Sequence, residues 1–135
     1  YKGISVSGFP NLFILYGPNT NLGHNSIIFM IEAQVHYILE AMKAMDNRGA
    51  DYLDVKPEAQ ARFNARVQAA MKGTVWSSGC VSWYQQGDGK NFTIWPWSTW
   101  RYWLATRQVP LADYSFHRRE AQPEQRRQQK AAEPA

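Results

Sequence analysis

Phe9-Pro10-Asn11-Leu12-Phe13-Ile14-Leu15-Tyr16-Gly17-Pro18-Asn19-Thr20-Asn21-Leu22-Gly23-His24-Asn25-Ser26, and the apolar-periodic run that continues to Leu39, carry most of the information about the fold. Leu12 to Tyr16 is an unbroken apolar and aromatic pentamer, the pattern of a strand buried on both faces. Gly17-Pro18-Asn19 must end it, because proline fixes φ and has no N–H, while glycine and asparagine accept turn geometry. A polar, glycine-containing loop then leads into a helix at about Asn25 or Ser26. Strand, turn, polar loop and helix start is the layout by which α/β proteins offer backbone N–H groups and the positive end of a helix to a ligand.

Outward from this segment, the first helix is expected over residues 25–48, N-capped by Asn25 and closed by Gly49. Ile27, Ile31, Val35, Ile38, Met42 and Met45 step by three or four and form one apolar stripe, widened by Ile28, Met30 and Leu39. Residues 49–56 read as a connector. Pro57 and Glu58 open a second helix that runs to Lys72, with a thinner stripe of Ala59, Phe63, Val67, Ala70 and Met71. The two helices have the lengths and short connection of an antiparallel pair. Gly87-Asp88-Gly89-Lys90 between residues 80–85 and 91–95 predicts a β-hairpin. Ser98 then caps a short helix over residues 99–106. Before all of this, Tyr1 to Ser7 alternates loosely and leads into the turn Gly8-Phe9-Pro10-Asn11. Residues 117–135, rich in Gln, Glu, Arg, Ala and Pro, read as a disordered tail after a unit spanning residues 1–116.

The bulk numbers set limits. At 135 residues the chain is one domain or less. Aromatic residues make up 14%, and four of the six tryptophans fall between Trp83 and Trp100. Such a cluster forms either a small aromatic core or a docking surface. The net charge is +4, with five basic and three acidic residues in the tail and the remainder scattered, so no basic stripe marks a nucleic-acid binder. No apolar run of the length needed to span a membrane occurs. The single Cys80 excludes an internal disulfide framework and fits a reducing, cytoplasmic setting.

Few residues carry obvious chemistry. His24 in the loop has the ordinary titration range of a general acid, but also suits a solvent-facing or capping position. Cys80 has no base near it in sequence and reads as a small buried hydrophobe. The three histidines and Cys80 show no metal-ligand spacing. Trp83, Tyr84, Trp95, Trp97, Trp100 and Trp103 fit either packing or the apolar wall of a substrate entrance. Arg101 and Arg107 fit solvation or stacking on Trp.

Gly8-Phe9-Pro10-Asn11-Leu12-Phe13 followed by Gly17-Pro18-Asn19 resembles the last strand and turn of the FAD-binding domain in flavin-dependent Baeyer–Villiger monooxygenases. The resemblance continues through Trp76, Gly79-Cys80, Ser82-Trp83-Tyr84, Gly89, Asn91, Trp95-Pro96, Thr99, Tyr102, Thr106-Arg107 and Asp113-Tyr114, and so covers residues 1–116. Trp97 departs from the family pattern, where a small residue is more usual. The family's glycine-rich dinucleotide fingerprints, its His-containing signature and its catalytic arginine are not in this sequence.

The resemblance implies a C-terminal piece of an α/β flavoprotein with two dinucleotide-binding domains. On its own that piece would be an α+β fragment, mostly helical, with one buried strand, two long helices, a small β-hairpin and a short C-terminal helix. It implies FAD and NADPH as cofactors of the parent enzyme, with Gly17, Thr20, Asn21, Asn25, Ser26, Ile27 and Ile28 facing the flavin and no catalytic residue in this chain. The implied activity is insertion of one oxygen atom into a small-molecule ketone, with N- or S-oxidation as the alternative, and no activity for the fragment alone. From the residues themselves a different class stays open: a stand-alone module that self-associates through the orphan strand and the aromatic cluster.

Overall fold

The computed structural model describes residues 1–22, 26–72, 74 and 91–119. Its elements are α1 (Ile27–Asp46), β1 (Tyr52–Val55), α2 (Pro57–Met71), α3 (Thr99–Thr106), a 3-10 turn (Leu111–Asp113) and β2 (Tyr114–His117). This is a small α+β arrangement in which β1 and β2 pair antiparallel, Tyr52 opposite His117 and Val55 opposite Tyr114.

The pairing corrects the expectation of a mere connector over residues 49–56. Leu53 and Val55 alternate inward and are almost fully buried, so the segment has one core face and finds its partner 60-odd residues away in the chain. Asn11 extends the arrangement on the other edge. Its N–H donates to the Leu53 carbonyl at 3.0 Å, its Oδ1 accepts from the Leu53 N–H at 3.0 Å, and its Nδ2 reaches the Asp51 carbonyl at 3.1 Å. An asparagine at φ 58° thus substitutes for a third strand, using a conformation its short polar side chain tolerates.

The buried strand expected over residues 12–16 does not form. Phe13 makes a single antiparallel bridge to Ser5, the Ile14 N–H donates to the Ile4 carbonyl at 2.8 Å, and Leu12, Leu15 and Tyr16 are exposed. A two-faced strand needs a neighbour on each edge and cover on each face, and among the described residues only the N-terminal turn pairs with it. The expected hairpin over residues 80–95 falls mostly outside the described residues, as do Cys80, Trp83 and Tyr84. Of its residues, 91–95 are described, and they pair with the turn at residues 19–21.

In α1 the expected stripe is also turned. The buried positions are Met30, Ala33, Gln34, Tyr37 and Ala41, while Ile28, Val35, Leu39 and Met42 are exposed. The helix does not pair with α2 as a hairpin. It packs chiefly on α3 and meets α2 through side chains of a shared core, where Met30 and Ala33 join Phe63 and Val67. The buried face of α2 agrees with its sequence stripe at Ala59, Phe63, Val67 and Met71. In α3 the Ser98 Oγ accepts from the Arg101 N–H at 3.3 Å, the N-cap that the sequence predicts.

Two core clusters form among the described residues. One holds Ile4, Tyr37, Ala41, Leu53, Val55, Ala59 and Tyr114. The other holds Leu22, Met30, Ala33, Phe63, Val67, Trp95 and Tyr102. Tyr1 joins them, edge-on to Phe63 at 5.5 Å and to Tyr114 at 6.0 Å between ring centroids. The beginning of the expected tail is held: His117 stacks on Tyr52 at 4.9 Å, the Arg118 Nε donates to the Gly49 carbonyl at 2.6 Å, and the Arg119 N–H donates to Asp51 at 2.6 Å. Residues 120–135 lie outside the described residues.

Candidate functional site

The candidate site is the turn over residues 16–22 together with the start of α1. The chain enters it under strain. Tyr16 stands at φ 55° and Asn19 at φ 58°, a left-handed conformation that non-glycine residues adopt at a cost. Tyr16 is held there by its N–H, which donates to Gln34 Oε1 at 2.8 Å. Gly17 follows in close contact with the N-terminal turn, and a Cβ on it would run into the Gly3 carbonyl. Only glycine fits that approach.

The next residues are committed inward. Thr20 is fully buried, and its hydroxyl donates to the Gly17 carbonyl at 2.6 Å. Asn19 is buried and its Nδ2 donates to the carbonyls of Asn91 at 3.0 Å and Ile94 at 3.1 Å. A backbone ladder runs beside it: Asn19 N–H to Phe92 O at 2.8 Å, Asn21 N–H to Thr93 O at 3.0 Å, and Trp95 N–H to Asn21 O at 2.9 Å. Asn91 completes the clamp, since its Oδ1 accepts from the N–H groups of Thr93 and Ile94, both at 3.0 Å. Asn19 and Asn91 are the residues sequence reasoning missed here. Their signal was the pairing of a turn asparagine with an asparagine that opens an extended run, too general to single out.

Of the predicted ligand-facing residues, Thr20 spends its hydroxyl on the turn, and Asn21 directs its Oδ1 to the Leu22 N–H at 2.8 Å. Asn25 and His24 lie outside the described residues. The N-cap of α1 is Ser26 rather than Asn25, with φ −71° and ψ 122° and no side-chain cap bond. Ser26 and Ile28 are exposed and Ile27 is half-buried. The first turn of any α-helix has N–H groups with no carbonyl acceptor inside the helix. The structure therefore brings Gly17, Thr20 and Asn21 into one rigid turn, and Ser26, Ile27 and Ile28 into a separate, accessible helix start.

Behind the turn, Trp95 packs edge-on against Trp97 at 4.7 Å and Tyr102 at 4.9 Å, and its indole N–H donates to the Ser98 carbonyl at 3.0 Å. Trp95 and Tyr102 are core, while Trp100 stacks on Trp103 at 4.6 Å and remains exposed. Arg101 lies 5.0 Å over Trp97 and Arg107 lies 4.5 Å over Trp103, so the two arginines stack as their neighbours in sequence allowed.

Fold and site together define an α+β segment in which an internally bonded turn over residues 16–22 lies ahead of the start of α1. The chain is similar to one part of the monooxygenases named as Baeyer–Villiger and FAD-binding enzymes. It is 48% identical over 116 residues to a Baeyer–Villiger monooxygenase of Pseudomonas aeruginosa, covering 84% of this chain and 22% of that protein. It is 40% identical over 119 residues to an FAD-binding monooxygenase of Aspergillus niger, covering 84% of this chain and 20% of that protein. A solved structure of an oxidized steroid monooxygenase bound to NADP superposes with a TM-score of 0.74 at 24% identity, over 88% of this chain and 23% of that one. The chain thus spans between a fifth and a quarter of the proteins it matches. No protein-family model matches it.

Proposed function

We propose that this chain is the C-terminal part of an FAD- and NADPH-dependent monooxygenase that inserts one oxygen atom into a small-molecule ketone. The observation that carries the reading is the 48% identity to a named Baeyer–Villiger monooxygenase over most of the chain. The flavin would supply the redox chemistry by which dioxygen gives one atom to the substrate and one to water.

The chain's own residues would bind and orient. The N–H groups of Ser26, Ile27 and Ile28 would donate to the carbonyl edge of the flavin ring, where negative charge develops on reduction. A helix dipole adds about 0.3–2 kcal/mol of stabilisation there. Gly17, Thr20 and Asn21 would set the distance of approach, held by the Asn19 and Asn91 clamp. The residues fit such a group in one respect visible here: the helix start is exposed while the turn beside it is internally satisfied and pre-organised. The rest of the flavin site, the NADPH site and the catalytic groups would come from outside this chain, so the chain alone would be inactive.

The test is made on the whole enzyme that contains this segment. Asn19→Ala should release flavin, read as a several-fold weaker FAD affinity and a matching loss of ketone-dependent NADPH oxidation, with the melting temperature of the apoenzyme lowered only modestly. Full flavin occupancy with unchanged turnover in that variant would remove the turn from the flavin site. An enzyme that holds no flavin at all would remove the reading itself.

A further inference from the structure

One face of α2 meets the N-terminal turn across an open cleft of about 410 Å³. None of the proposed flavin-facing residues lines it. Three cations do: Lys2, Arg62 and Arg66, with Asp113 as the carboxylate among them. Arg62 Nη2 is paired with Asp113 Oδ1 at 2.9 Å, and the other oxygen of Asp113 accepts from the Tyr1 hydroxyl at 2.6 Å. Lys2 and Arg66 form no ion pair among the described residues. Three cations against one matched carboxylate leave two positive charges in the cleft.

Lys2 is the unusual member. Its residue is only 7% exposed, and its ammonium donates to the Ala105 carbonyl and lies 4.7 Å from the Tyr37 ring and 5.4 Å from the Tyr1 ring. One carbonyl and two ring faces are weak compensation for a buried charge with three donors. Burial accordingly lowers its pKa to about 8, with Asp113 opposing the shift and Arg66 adding to it. Among the described residues Arg66 stacks over the Phe63 ring, 5.8 Å away, and forms no ion pair.

We propose that this cleft binds a phosphate dianion, gripped between the Lys2 ammonium and the Arg66 guanidinium, with the Phe63 and Tyr1 rings as its apolar rim. A phosphate monoester carries about −1.5 to −2 charge at neutral pH, which matches the two unneutralised cations. The planar guanidinium meets phosphate oxygens two at a time, and the ammonium adds a point charge from the buried side. A monocarboxylate would satisfy one cation and leave the other. The phosphate has two possible sources, free inorganic phosphate or a monoester on an organic body, and the rim distinguishes them.

The experiment is isothermal titration of the chain with inorganic phosphate and with phenyl phosphate at constant ionic strength and pH 7, repeated on Lys2→Met and Arg66→Gln. Both substitutions spare the fold, because methionine suits a buried site and residue 66 lies on an exposed helix face. A thermal melt of each variant checks this. The expected result is one saturable site, weakened about tenfold by each substitution, the size expected for losing one charge-assisted contact. Tighter binding of phenyl phosphate would assign the natural ligand to the organic monoesters, and equal affinities would assign it to inorganic phosphate. Non-saturable heats, or binding that either folded variant retains in full, would overturn the proposal.

Discussion

The two faces of α1 are built from one run of sequence and meet opposite fates. The inner face holds Met30, Ala33, Gln34, Tyr37 and Ala41, and each polar atom on it has a partner. Gln34 Nε2 donates to the Tyr102 hydroxyl at 3.0 Å while its Oε1 accepts from the Tyr16 N–H. The Tyr37 hydroxyl donates to the Tyr114 hydroxyl at 3.2 Å, and Tyr114 shares a 2.9 Å bond with Ser5. The outer face is more apolar by residue type, with Ile28, Val35, Leu39 and Met42, yet Ile28 is 68% and Leu39 51% exposed. The difference shows what selects the core of this chain. A face with fewer aliphatic side chains is buried because it carries the polar groups that lock α1 to the turn, to α3 and to β2.

The comparison is broken most severely from the inside. Tyr37→Ala would remove a fully buried ring and leave the Tyr114–Ser5 pair without its neighbour, at an expected cost of about 3–5 kcal/mol by chemical denaturation. Near-normal stability of that variant would show that the inner face is not the organising one.

Alkaline pH tests the same face without mutation. Burial raises the pKa of Tyr1, Tyr37, Tyr102 and Tyr114 above the usual 10. A phenol whose folded pKa is raised contributes stability that is present below its ordinary pKa and lost as pH rises past it, so the chain should destabilise steeply above pH 10. Lys2 acts in the opposite sense. Its pKa falls from 10.5 to about 8, so its contribution is present above pH 10.5 and lost as pH falls through about 8. Around it stand Asp113, Arg66, Tyr1 and Tyr37. Stability should therefore rise between pH 8 and 10 by on the order of 1–3 kcal/mol, and Lys2→Met should flatten that rise. A flat profile in the unsubstituted chain would mean that the ammonium is better solvated than its position indicates.

Gln34→Leu is the finer cut. It keeps the volume near constant but strips an acceptor from the strained Tyr16 N–H and a donor from Tyr102, which should cost about 1–3 kcal/mol. Because Tyr16 leads into Gly17, the loss should also loosen the turn, seen as faster amide exchange at residues 19–21.

These contrasts explain what was legible in the sequence. Helix existence, the Pro57 start, the Ser98 cap and the α2 stripe were readable because each depends on neighbours within a few residues. The facing of α1 was not, since both of its arcs are apolar enough, and the core side is marked by Gln34 and Tyr37, whose partners lie far away in sequence. The pairing of β1 with β2 was hidden by its sequence separation and by four-residue strands too short to show a pattern. The pentamer at residues 12–16 misled because an apolar run does not say which partner strand would pair with it, and among the described residues it makes one bridge, to Ser5. In the site, the turn and helix start were visible from Gly17-Pro18 and Ser26, whereas the lock supplied by residues 91–95 depends on a contact across some seventy positions.

The outer face gives the smallest effect in the chain alone and separates two accounts of its exposure. Leu39→Gln and Met42→Gln replace side chains that are about half exposed, so each should change the stability of the isolated chain by no more than about 0.5 kcal/mol. If the face were an ordinary surface, the same substitutions would be equally silent in the whole enzyme. A face covered by the remainder of that enzyme would instead lose about 1–2 kcal/mol per site there, the transfer term for a partly exposed leucine or methionine becoming fully buried. The expected outcome is this second one: silence in the segment, loss in the enzyme, and less self-association of the isolated chain by light scattering, because removing apolar surface from an uncovered face removes the reason for two copies to meet. Equal silence in both settings would mean that the apolar arc of α1 is tolerated solvent exposure, and that the turn and helix start are held in place by the inner face alone.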